Sequence, residues 1–90
     1  MSDDPNALEC ATSVAVLEYL VRSLVDDPDA VLVDEIEGGR STTLEVRVAP
    51  GDMGRVIGKR GRVAGAIRTV VRAAGHDGDD SGSIEVEFVD

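Results

Sequence analysis

Ninety residues carry nine Lys and Arg against 18 Asp and Glu, for a net charge of −9. That length suits one domain with a thin core, burying only about 60–65 % of the surface its unfolded form exposes. With Tyr19 and Phe88 as the only aromatics, the composition argues against an RNA reader built on an aromatic stacking platform.

In chain order, residues 1–12 are polar, contain Pro5 and keep no sustained period, which predicts a flexible N-terminal tail ahead of a domain over 13–90. The start, Met1-Ser2-Asp3-Asp4-Pro5, is acidic, unlike a signal peptide. The lone Cys10 forms no internal disulfide and suits a reducing compartment. No apolar run approaches the roughly 20 residues of a membrane span, so a cytoplasmic chain without membrane contact is expected. Val14, Leu17, Leu20, Val21, Leu24 and Val25 recur at helical spacing, with Thr12 or Ser13 as a candidate cap and Asp26-Asp27-Pro28 as the stop.

Ala30 to Glu37 is short and rich in β-branched residues, which predicts a strand, and Gly38-Gly39 predicts a turn. Thr43 to Val48 alternates, with Leu44, Val46 and Val48 on one face and Glu45 and Arg47 on the other, so the two strands form a hairpin. Pro50-Gly51-Asp52 breaks the second strand and opens a short helix that stops at Gly58. Beyond Gly61 the residues Val63, Ala64, Ile67, Val70, Val71 and Ala74 form an amphipathic stripe, with Gly75 as its expected end. An Asp/Gly loop follows, and Ile84 to Phe88 alternates again. The order α-β-β-α-α-β predicts an α+β fold in which three helices cover one face of a three-stranded sheet. The other face is wet and takes Glu45, Glu85 and Glu87.

Charge is distributed unevenly along this order. Residues 53–74 contain Arg55, Lys59, Arg60, Arg62, Arg68 and Arg72 and no acid, while the remaining chain holds 18 acids against three bases. A basic block inside an acidic chain marks a surface for an anion. At its centre lies Gly58-Lys59-Arg60-Gly61. A G-x-x-G tetrapeptide alone carries little information in a chain with ten glycines; its position between two helices gives it weight. Glycines at both ends let a sugar-phosphate backbone press against the peptide units. The N–H groups opening the next helix favour a phosphate, and Lys59 and Arg60 add charge. Val56, Ile57 and Ile67 are candidates for the apolar wall of a groove that receives bases edge-on, without aromatic stacking.

Asp52-Met53-Gly54-Arg55-Val56-Ile57-Gly58-Lys59-Arg60-Gly61-Arg62, followed by Ala66-Ile67-Arg68, resembles the I-G-x-x-G core of a KH domain, and the element order resembles the type II arrangement. The segments 19–26, 33–38 and 48–50 extend the likeness to the KhpA family of small bacterial single-KH-domain RNA-binding proteins, over roughly residues 14–89. The resemblance implies binding of about four nucleotides of single-stranded RNA, clamped by the G-x-x-G loop. It also implies a role as a post-transcriptional regulator or RNA chaperone, beside a KhpB (Jag or EloR) type KH partner or as a homodimer. The site residues carried over are Gly58, Lys59, Arg60 and Gly61, with Val56, Ile57 and Ile67 beside the loop. Arg55, Arg62 and Arg68 are added on electrostatic grounds.

Rival chemistries fail on spacing. A phosphate-binding P-loop needs four residues between its glycines and a hydroxyl after the lysine; here three residues separate Gly54 from Gly58, and Arg60 takes the hydroxyl's place. His76 has no nucleophile near it in sequence, Cys10 has no adjoining base, and Asp77, Asp79 and Asp80 lack the later bidentate Glu of a calcium loop. The residues therefore call for no enzyme, metal or cofactor. The alternative from another class is a KH-fold interaction module that works mainly through a partner KH protein.

Overall fold

The computed structural model describes residues 11–38, 41–77 and 83–89. Helix α1 (Ala11–Leu24) is followed by a 3-10 turn (Pro28–Ala30), strands β1 (Leu32–Gly38) and β2 (Ser41–Arg47), and the short helix α2 (Met53–Ile57). A second 3-10 turn (Lys59–Gly61) leads into helix α3 (Arg62–Asp77), and strand β3 (Ser83–Phe88) ends the order. This is the expected α-β-β-α-α-β sequence.

Strand β2 lies between β1 and β3. It pairs antiparallel with β1, Val33 opposite Val46 and Glu35 opposite Leu44, and parallel with β3, Leu44 opposite Val86 and Val46 opposite Phe88. Parallel neighbours cannot be joined by a tight turn. The chain between β2 and β3 therefore crosses over, and α2, the G-x-x-G loop and α3 are that crossover. The loop rides on elements whose ends the sheet fixes.

Alternation along the strands decides which face is dry. Leu44, Val46, Ile84 and Val86 are buried under the helices. Leu17 and Val21 of α1, Val56 of α2, and Ala64, Ile67 and Val71 of α3 meet them; pairs four apart share a helix face. At about 25 cal/mol per Å² of apolar surface removed from water, this aliphatic layer is the main stabilising contribution. The register puts Asp34, Glu45 and Glu87 in one row on the opposite face, with Ile36, Thr43 and Glu85 in the next. Glu85 and Glu87 are exposed, and Glu45 is half-buried beside Arg47 at 3.7 Å.

Four local expectations shift. Helix α1 begins at Ala11, so Thr12 and Ser13 lie inside it, and Ser13 is buried rather than acting as a terminal cap. Ala30 belongs to a 3-10 turn that starts at Pro28, whose fixed φ suits the first position of a helical turn, so β1 starts at Leu32. Gly75 does not end α3, which runs on to Asp77 with Gly75 buried in its last turn. Val70, on the stripe assigned to the core, is 46 % exposed. The expected tail residues 1–10, Gly39 of the turn and the Asp/Gly loop at 78–82 lie outside the described residues.

Candidate nucleic-acid interface

The approach to the loop is built by a buried carboxylate. Asp52, 5 % exposed, stands at the N-cap of α2 yet makes no capping hydrogen bond to the backbone of that helix. Its Oδ1 accepts from the Asp26 N–H at 3.3 Å and its Oδ2 from the Asp27 N–H at 3.1 Å. Those N–H groups lie just past the end of α1. The carboxylate thus ties the end of one helix to the start of the next, and sets the stance of α2 and the loop it carries. The sequence pattern marked Asp52 only as the opening of a short helix and not as this tie, because its partners are 25 and 26 residues away.

Helix α2 ends where Gly58 donates to the Gly54 carbonyl at 2.9 Å. Gly58 has φ 73° and ψ 178°, a region essentially reserved for glycine. A Cβ placed there would stand 2.3 Å from Val63 Cγ2 and 2.7 Å from Val63 Cβ. Gly58 is therefore required twice, by its dihedrals and by the close approach of α3. Gly61 also has positive φ, 73°, but open space around its missing Cβ. Between them Lys59 is helical and Arg60 is left-handed, at φ 59° and ψ 26°. A helical residue followed by a left-handed one turns successive N–H groups toward one side, which favours an anion. Both side chains are exposed.

The family model described as "KhpA/KhpB, KH domain" matches residues 14–87. This chain belongs to that family. The protein called "RNA-binding protein KhpA" in Clostridium acetobutylicum is 59 % identical over 59 residues, covering 66 % of this chain and 79 % of that protein. The protein of the same name in Mycobacterium bovis is 48 % identical over 80 residues, covering 89 % of this chain and 94 % of that one. The KhpA of Borreliella burgdorferi is 48 % identical over 65 residues, 72 % of this chain and 79 % of its own. No solved structure matches the chain.

Within this KH domain the six cations of the basic block divide into two groups. Arg55 lies 2.9 Å from Asp26 and 3.5 Å from Asp52, and Arg72 lies 3.2 Å from Glu85. Their charge is already answered. Lys59, Arg60, Arg62 and Arg68 have no acid within ion-pair distance among the described residues. Arg68 is held in place instead: its Nε donates to the Val86 carbonyl at 3.0 Å, and its guanidinium carbon lies 5.6 Å from the Phe88 ring centroid.

The apolar candidates also separate. Val56 is 0 % and Ile67 4 % exposed, so they stiffen the wall from below and offer almost no surface, whereas Ile57 is half-buried. Apolar surface gathers elsewhere, in an open groove of about 330 Å³ between α1 and α3. Leu20, Leu24, Val63, Ala66 and Val70 line it, with Arg62 beside them. Among the described residues no group of His, Cys, Asp and Glu is placed to hold a metal, and no helix is long and apolar enough to cross a membrane.

Proposed function

We propose that this KH domain binds a short stretch of single-stranded RNA, about four nucleotides, with the Gly58–Gly61 loop gripping the sugar-phosphate backbone. The observation that carries the reading is the loop itself: three residues at positive φ set two exposed cations with no acid partner at the start of α3. The name "RNA-binding protein" of its relatives supports it. Arg62 and Arg68 extend the positive surface along α3, Arg55 contributes less because Asp26 and Asp52 answer it, and Ile57 presents the apolar contact that Val56 and Ile67 back. Asp34, Glu45 and Glu87 lie in one row on the sheet face away from the helices.

The test is fluorescence anisotropy of a labelled random single-stranded RNA pool, with wild type and the double variant Lys59→Asp/Arg60→Asp. Binding lost in a folded double variant is the expected result. Equal affinity in the two proteins would remove the loop from the site.

A single four-nucleotide contact is weak, so a second binding unit supplies avidity. The α1/α3 groove, with Val70 46 % and Leu24 38 % exposed, supports a protein contact there, to a second copy or to a KhpB-type KH chain. Sedimentation of the chain alone and with such a partner distinguishes the two. On this reading the domain that opens with helix α1 at Ala11 is the RNA-binding unit of a cytoplasmic regulator or RNA chaperone.

A further inference from the structure

The two outer edges of the sheet are finished differently. At β3, Arg68 Nε donates to the Val86 carbonyl at 3.0 Å and Arg72 Nε to the Ile84 carbonyl at 3.1 Å. Two side chains from α3 thus occupy the acceptors that an added strand needs, and an edge so covered is closed to pairing. At β1 nothing comparable is found: among the described residues no side chain bonds to Leu32, Val33, Asp34, Ile36 or Glu37. Six of the seven β1 residues are exposed, Leu32 at 59 % and Ile36 at 45 %. An edge strand of this length, with apolar side chains in water, is a template for strand addition.

Charge selects the occupant. An incoming strand extends the cross-strand row Asp34–Glu45–Glu87, and like charges placed opposite one another are destabilising. A second copy of β1 brings its own Asp34 and Glu37 to the same edge, and the segment before α1 carries Asp3, Asp4 and Glu9. Both are mismatched. RNA is mismatched for the same reason.

We propose that the outer edge of β1 is a docking site for an extended, cationic segment of another protein. The segment adds as a fourth strand, with Lys or Arg beside Asp34 and apolar residues beside Leu32 and Ile36. Main-chain hydrogen bonds supply affinity, and alternate side chains supply selection. This site stands apart from the RNA reading and survives its failure.

The test titrates isotope-labelled protein with a peptide of about eight residues whose central Lys has a Val two residues away on each side, so that all three share the face that meets Leu32, Asp34 and Ile36. Amide shifts and slowed exchange confined to 32–38 are expected. N-methylation of alternate peptide residues, which removes strand hydrogen bonds but no charge, should weaken binding by about tenfold or more. The variant Asp34→Lys/Glu37→Lys should do the same, and Asp34→Asn, which disturbs the fold less, should show a smaller loss of the same sign. The proposal is overturned if β1 amides do not respond at millimolar peptide, or if the N-methylated peptide binds equally well, leaving charge attraction alone. It is also overturned if β1 pairs with a second copy or with the chain's own N-terminal segment.

Discussion

Replacing Gly58 by Ala tests the loop geometry most sharply, because two separable costs fall on one atom. Holding a residue with a side chain at φ 73° and ψ 178° costs about 1–3 kcal/mol. The new Cβ also stands 2.3 Å from Val63 Cγ2, 2.7 Å from its Cβ and 3.0 Å from its backbone nitrogen. Only the first of these atoms belongs to a methyl that can turn away, so α3 itself must shift, at about 1–3 kcal/mol. The sum is about 2–6 kcal/mol, against about 5–15 kcal/mol for a whole domain. Gly61→Ala serves as the control, with φ 73° but open space; it should cost about 1–2 kcal/mol. Urea unfolding of both variants measures the difference. Adding Val63→Ala to Gly58→Ala should restore only part of the loss, since the Cβ and nitrogen contacts remain. Equal destabilisation by Gly58→Ala and Gly61→Ala would refute the close-approach argument, and complete rescue by Val63→Ala would refute its backbone component.

Three further outcomes follow from the same site. Arg60→Gly removes a left-handed arginine at φ 59°, so urea unfolding should show stability unchanged or raised by up to about 1 kcal/mol while RNA affinity falls. Asp52→Ala deprives the Asp26 and Asp27 N–H groups of their acceptor, costing about 1–3 kcal/mol in the same assay; a change within error would mean that water replaces the carboxylate. Arg62→Gln and Arg68→Gln should each flatten the salt dependence of RNA binding by about one unit of log–log slope, whereas Arg55→Gln, already paired with Asp26 and Asp52, should change it less.

Features of the fold that depend on local period were legible in the sequence. Alternation places Leu44 and Val46 of β2 and Ile84 and Val86 of β3 on the buried face, and the 3.6-residue stripe finds Ala64, Ile67 and Val71. Period gives direction but not depth. Val56 and Ile67 read as groove wall and prove nearly inaccessible, while Val70 reads as core and meets solvent. The rest is tertiary. The Asp52 latch spans 25 and 26 residues, and the Arg68 and Arg72 anchors span 18 and 12. The need for glycine at 58 comes partly from Val63, five residues on, which approaches only once α3 has folded back. The pattern of glycines marked the loop; only packing separates the position that must be glycine for space from the one that needs it for its dihedrals alone.

A net charge of −9 and the RNA site proposed at the loop are reconciled by where the fold puts the acids. Alternation in β2 and β3 sends Glu45, Glu85 and Glu87 to the face away from the helices, and the parallel pairing of those strands forces the crossover that carries the loop onto the helical side. Acids near the basic block are spent on it: Asp26 and Asp52 on Arg55, Glu85 on Arg72. Lys59, Arg60, Arg62 and Arg68 remain free for an anion among the described residues. Screening with a Debye length of about 8 Å at physiological salt weakens the pull of distant carboxylates more than that of cations in contact. Under the proposed reading, local charge, set by strand register and crossover, governs binding at the loop, while the global charge mainly slows the approach of a polyanion.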